Sequence, residues 1–140
     1  EIDMPKTLSR KPRRASVVFV VDGSRSFDEH RIAAAIEVSR AYTSHLQDAQ
    51  YEYIVFRREA ERLFSRFVPF AKLETFLAKS EEKLAPGNGS HVERALALAA
   101  EMLRGRRGPK RIVVLTDAHY RKAFENRLAD LALRLGQLFL

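Results

Sequence analysis

The sequence contains no cysteine. Without thiols it can form no disulfide, no thiolate metal site and no cysteine nucleophile, although this absence leaves the compartment open. No apolar run reaches the length that a membrane-spanning helix needs. The opening stretch EIDMPKTLSRKPRR has no apolar centre of the kind a secretory signal carries. Internal repeats and low-complexity tracts are missing. So are the marks of several enzyme classes: G-x-S-x-G, G-x-x-x-x-G-K-S/T, H-E-x-x-H and G-x-G-x-x-G do not occur. The four histidines, at positions 30, 45, 91 and 119, are scattered. His30 and His45 read as surface residues of a helix.

What is present suits one domain. The chain has 140 residues, 46% of them hydrophobic, enough for a single core. Its 25 Lys and Arg against 18 Asp and Glu give a formal charge of +7. That balance favours acidic partners, anionic surfaces or nucleic acid without fixing a fold. Residues 1–14 are polar, basic and carry two prolines, as a linker or lead-in would. Residues 15–140 form the expected domain. A start at Glu1 without an initiator methionine predicts a piece of a longer chain with other domains.

Strands and helices alternate along this domain. The β-branched run Val17–Val21 suits a strand buried on both faces of a parallel sheet. From Asp28 to about Gln47, Ile32, Ile36, Tyr42 and Leu46 fall on one helical face. YEYIVFR (Tyr51–Arg57) and RLFSRFV (Arg62–Val68) read as two strands of a hairpin, giving one antiparallel edge strand. Leu73, Phe76, Leu77 and Leu84 form a further helical stripe. PGNGS (Pro86–Ser90) is a loop, and HVERALALAAEMLRG is a helix with Val92, Ala95, Leu96, Ala99 and Leu103 inward, closed by Gly105. Ile112–Leu115 is a second buried strand ending in Thr116-Asp117. Phe124, Leu128, Leu131 and Leu135 mark a last helix, and Leu138–Leu140 the start of another strand. This order predicts an α/β sandwich of three layers, Rossmann-like, with a mostly parallel central sheet and helices on both faces.

In an open α/β sheet, ligands bind beyond the carboxyl ends of the strands, where the strand order reverses. Three polar groups fall at such places. Asp22, Ser24 and Ser26 leave the first strand in SVVFVVDGSRSF; Ser90 sits in the Gly-rich loop before a helix; Asp117 ends IVVLTD. Singly each has an ordinary explanation, since Asp-Gly is a common turn pair and Ser after glycines is a routine helix N-cap. Together they offer two carboxylates and three hydroxyls, all oxygen donors. Such a set suits a hard cation, Mg²⁺ or Mn²⁺, with Ca²⁺ as a further candidate. Spacing by two along an extended segment turns Asp22, Ser24 and Ser26 toward one side, so that they can surround one ion.

The same residues resemble the von Willebrand factor A (vWA) domain and its metal-ion-dependent adhesion site (MIDAS). The first motif of that site, D-x-S-x-S, is matched in full by DGSRS. The second is a Thr in a Gly-rich loop, five residues before an Ala-Leu pair; GNGSHVERAL keeps the spacing with Ser90 in place of Thr. The third is an Asp ending an apolar strand, commonly in LTDG; here it is Asp117 in VVLTDA, with Ala118 in place of Gly. The resemblance runs from about Arg14 to Leu140. Through PRRASVVFVVD and LAPGNGS it extends to bacterial and inter-alpha-trypsin-inhibitor-type members. It implies further C-terminal strands and a helix beyond Leu140, so that the domain reads as truncated. It also implies that the Ser24, Ser26 and Ser90 hydroxyls bind the metal directly, with Asp22 and Asp117 acting partly through water. A cation so weakly compensated would capture an Asp or Glu carboxylate of a protein partner, in adhesion or assembly and not in catalysis. Arg25, His91 and His119 would line the rim. Serine at position 90 keeps the hydroxyl but loses the methyl that restricts the Thr rotamer, which predicts weaker metal affinity. The resemblance favours the cell envelope or export over the cytoplasm.

Among enzymes, a haloacid-dehalogenase-type phosphatase also places an Asp after its first strand. It requires a second Asp two residues later, where this chain has Ser24. The basic residues support a different class of function. Arg13 and Arg14 precede the first strand; Arg106, Arg107, Lys110 and Arg111 precede the strand at Ile112. If those strands are neighbours, as the resemblance implies, the six residues form a basic patch opposite the metal. The patch would take nucleic acid, an anionic surface or an acidic neighbour, or serve only solubility. Arg57, Arg58, Arg62 and Arg66 read as a solvated edge that discourages strand pairing. A metal-silent scaffold is the remaining alternative.

Overall fold

The first strand, β1 (Ala15–Asp22), is buried at every residue. Its apolar run is continuous because both faces of the sheet are covered, so that alternate residues enter one core or the other. On one side lies β2 (Ala49–Phe56), in register from Ala15 opposite Ala49 to Asp22 opposite Phe56. On the other lies β5 (Lys110–Leu115), from Ser16 opposite Lys110 to Val21 opposite Leu115. The computed structural model of the chain describes residues 14–116. The expected last helix and the Leu138–Leu140 strand lie outside the described residues.

Alternate residues of β1 feed two cores. Val17, Phe19 and Val21 pack with helix α1 (Glu29–Ser44) and the short helix α2 (Leu73–Lys79). Val18 and Val20 pack with Ile54, Phe56, Ile112 and helix α3 (Val92–Arg104). Helices thus cover both faces of a mostly parallel sheet, the three-layer α/β arrangement that the alternation predicts. All five residues expected inward on α3, from Val92 to Leu103, are buried. The first core is aromatic. The Phe19 ring lies 4.9 Å from that of Tyr53 and meets Tyr42 edge-on at 5.5 Å. Polar groups on the inner face of α1 are satisfied locally: Ser39 Oγ donates to the Ile36 carbonyl and meets Tyr53 Oη at 2.6 Å. Burial pushes the Tyr53 phenol up to about 12. Asp28 caps α1 by accepting from the His30 and Arg31 amides.

Two expectations need correction. RLFSRFV is not one strand. The antiparallel edge of β2 is made of two pieces, β3 (Ala60–Arg62) and β4 (Val68–Pro69). The cause is Glu52, which sits fully buried on β2. Its Oε1 accepts from the Tyr53 and Phe64 amides, and its Oε2 from Arg62 Nε. A side-chain acceptor replaces the ladder there, and Ser65 adopts φ 65° to let the chain pass. The stripe from Leu73 to Leu84 is likewise two pieces. The helix stops at Lys79 because the Ser80 hydroxyl turns back onto the Phe76 carbonyl, and Glu81–Leu84 continue as a 3₁₀ turn.

Burial raises the Glu52 carboxyl above its ordinary value of 4.5, against hydrogen bonds from Tyr53 and Phe64 and the charge of Arg62, which lower it. The folded chain therefore holds this proton more tightly than the unfolded one. Its contribution to stability is full below pH 4.5 and falls as pH rises through the raised value. Thermal unfolding of wild type and Glu52→Gln should show the difference between them moving in the variant's favour as pH rises from 4.5 toward neutrality. Movement in the wild type's favour would contradict this account.

Candidate functional site

The strand order β3-β2-β1-β5 reverses at β1, because the chain moves outward to β2 and then returns to the far side of β1 for β5. The crevice between the carboxyl ends of β1 and β5 is thus the ligand position that such sheets favour. Asp22 occupies it. Its side chain is fully buried. Oδ1 accepts from the Ser24 amide at 2.9 Å, an Asx turn. Oδ2 accepts from Thr116 Oγ1 at 3.1 Å. No Lys, Arg or His of the described residues pairs with it. Both of its donors are neutral, one a backbone amide and one a hydroxyl, and each carboxylate oxygen keeps a further lone pair.

Beyond Asp22 the chain bends. Gly23 has no room for a side chain: a Cβ would lie 2.5 Å from Val55 Cγ1 and 3.2 Å from the Phe56 carbonyl oxygen. Its amide donates to that carbonyl at 2.8 Å, extending the β1–β2 ladder by one bond. Ser24 is extended and buried, but Arg25–Phe27 form a 3₁₀ turn. The segment is therefore not extended through Ser26, and alternation along a strand does not set that residue's direction. Arg25 is exposed at the rim and donates from Nε to Asn88 Oδ1 at 2.7 Å.

The Gly-rich loop lies directly against this turn. Gly87 donates to the Gly23 carbonyl and pairs with Ser24 as an isolated parallel bridge. Arg57 holds the loop from beneath. Its guanidinium donates to the carbonyls of Lys83 and Ala85, with Nε at 2.8 Å from the latter. Its own carbonyl accepts from the His91 amide, and the Arg58 amide donates to the Asn88 carbonyl. Gly89 passes so close to Arg58, with φ 90°, that a Cβ would sit 2.7 Å from its backbone. Arg57 is thus a clamp and not a solvated edge residue. Arg62, pairing with Glu52, and Arg66, over the Phe76 ring at 5.1 Å, are also engaged.

Ser90 is exposed on this loop, one residue before the helix N-cap, which is His91. His91 is exposed and makes no side-chain cap. The structure therefore brings Asp22, Ser24, Arg25 and the loop carrying Ser90 to one mouth. Asp117, Ala118 and His119 lie outside the described residues, as does the side chain of Ser26. Among the described residues no group of three His, Cys, Asp or Glu could hold a metal; the donors here are hydroxyls around one carboxylate. Sequence reasoning missed Thr116 as a partner of Asp22. The strand pairing makes it legible, since Val21 lies opposite Leu115 and the next pair is Asp22 and Thr116. At the opposite end of the sheet stand Arg14, Arg106, Arg107 and Lys110, while Arg111 donates to Tyr42 Oη; Arg13 lies outside the described residues.

A doubly wound α/β domain with a polar mouth at its switch point is the class that fold and site define. Within it, the chain belongs to the von Willebrand factor type A domain family, whose model matches residues 17–119. Solved structures agree on the fold. The vWF domain of the type V pili tip protein Mfa5 from Porphyromonas gingivalis is 22% identical, with a TM-score of 0.60 over 74% of this chain and 37% of that one. The PilB minor pilin from Streptococcus sanguinis is 18% identical, with a TM-score of 0.63 over 77% and 30%. A von Willebrand factor type A protein from Catenulispora acidiphila is 18% identical, with a TM-score of 0.61 over 71% and 25%. The chain thus spans well under half the length of these relatives. No curated protein sequence matches it.

Replacing Arg57 by Ala should free the loop while leaving the two cores intact. Hydrogen bonds from a charged donor contribute about 1.5–3 kcal/mol, so amide exchange from Gly87 to His91 should accelerate at least about tenfold, with that in β1 unchanged. Uniform acceleration across the sheet would show that Arg57 serves the fold and not the loop.

Proposed function

We propose that the chain is a divalent-cation-dependent protein-interaction module, an adhesion or assembly device and not an enzyme. The observation that carries this reading is the fully buried Asp22 carboxylate, which has no cationic partner among the described residues and faces an oxygen-lined mouth. The residues fit a hard cation such as Mg²⁺ or Mn²⁺, with Ca²⁺ third, because every donor is oxygen. Asp22, Ser24, Ser26, Ser90 and Asp117 would hold it. When bound, such an ion supplies an open coordination position for a partner's carboxylate. The chain's own residues fix the mouth: Asp22 supplies the charge, Thr116 orients it, Gly23 permits the turn, and the Arg57-clamped loop presents Ser90. Arg25 and His91 border the mouth as cationic and polar neighbours for an incoming acid.

The named relatives support the setting. A pilus tip protein and a minor pilin carry the same fold, which favours a bacterial cell-envelope or exported role within a longer chain. The competing reading, a metal-silent scaffold, draws on the two hydrogen bonds that Asp22 already accepts. Each carboxylate oxygen has a second lone pair, so those bonds and a cation are compatible.

Thermal unfolding during a Mg²⁺ or Mn²⁺ titration separates the readings. At about a hundred times Kd, a bound ion stabilises by about 2.7 kcal/mol, which raises Tm by several degrees in a domain of this size. Wild type should show that rise, and Asp22→Ala should show none. If neither protein responds, the scaffold reading replaces this one.

A further inference from the structure

The amino ends of β1, β2 and β5 frame an open groove of about 780 Å³, at the pole of the sheet away from Asp22. Arg14, Arg106 and Arg107 line it with Gln47, Asp48 and Gln50. The first three carry positive charge, and none forms an ion pair among the described residues. Arg106 is held in place: Nε donates to Ser16 Oγ at 2.9 Å, and the guanidinium lies 4.3 Å over the Phe67 ring. A guanidinium fixed in this way loses little entropy on binding a carboxylate. Arg14 and Arg107 are exposed on either side of it. Arg14 is joined to the groove floor through its amide, which donates to the Asp48 carbonyl at 3.0 Å.

We propose that this groove docks an acidic polypeptide segment of a partner protein, independently of the cation site. Charge complementarity supplies the attraction, and the lining chooses among polyanions. Asp48 is an acceptor, and Gln47 and Gln50 offer both donors and acceptors. A polypeptide meets that mixture with backbone amides and carbonyls as well as acidic side chains. A phosphodiester backbone carries acceptors and no donor for Asp48, whereas every non-proline peptide residue brings an N–H.

The test uses the full chain in EDTA, so that no divalent ion contributes. Fluorescence anisotropy follows a labelled Glu-Gly repeat peptide and, separately, a labelled oligothymidylate; sedimentation follows phosphatidylserine vesicles. The peptide should bind in a salt-dependent manner, equally to wild type and Asp22→Ala. Reversing two exposed charges in Arg14→Glu/Arg107→Glu should weaken it at least about tenfold, since each exposed pair contributes up to about 1 kcal/mol and reversal adds repulsion. Arg107→Glu alone, which alters one exposed side chain, should give part of that loss. Asp48→Asn should improve oligothymidylate binding more than peptide binding. Failure of the peptide to bind, equal binding by the charge-reversed variants, or tighter binding of oligothymidylate or vesicles than of peptide would overturn the proposal.

Discussion

The Asp22 carboxylate is enclosed at the end of a strand that is itself enclosed along its whole length. Burial removes it from solvent, so its hydrogen bonds must come from the protein, and no Lys, Arg or His among the described residues supplies one. The structure around it reads as a response to that constraint. The Ser24 amide and the Thr116 hydroxyl approach from the two flanking segments. The turn at Gly23 is tight enough to exclude any side chain. A glycine loop is bound across the opening by backbone bonds to Gly23 and by the Arg57 guanidinium. Among the described residues these contacts bring no positive charge onto Asp22 itself, and a cation is what we propose there.

That arrangement depends on ordinary features of a doubly wound sheet. Alternation of Val17, Phe19 and Val21 with Val18 and Val20 sends α1 to one face and α3 to the other. The strand order then reverses at β1 and opens a crevice where Asp22 and Thr116 meet. The same topology gathers the amino ends of β1, β2 and β5 at the far pole. There the turn residues are Arg14, Arg106 and Arg107, so the two ends of one sheet present opposite chemistry.

Much of this was legible in the residues. The β-branched run of β1 and the period of α3 are dictated by burial, and burial is what periodicity records. DGSRS and GNGS could be placed at strand ends because the elements around them were clear. Three features were not legible, each for a physical reason. Glu52 looks like a solvent residue in an alternating strand, yet it is buried and breaks the edge strand by taking the Phe64 amide. Arg57 sits among arginines that suggest a charged edge, and only the tertiary path of the loop reveals its carbonyl partners. The direction expected for Ser26 assumed an extended chain, whereas a 3₁₀ turn begins at Arg25. Tertiary hydrogen bonds decided the first two and a local bond from the Phe27 amide to the Ser24 carbonyl closes the turn in the third, and none of these leaves a period in a sequence.

The central proposal is that a divalent cation binds beside Asp22. Paramagnetic broadening by substoichiometric Mn²⁺ in the amide spectrum of the ¹⁵N-labelled protein tests it most directly, because the effect falls off steeply with distance from the ion. The account predicts early loss of the Gly23, Ser24, Gly87–Ser90 and Thr116 signals, with the amides around Asp48 at the far pole unaffected. Broadening centred on Asp48 or on the surface acids of α1, or no selective broadening at all, would contradict it.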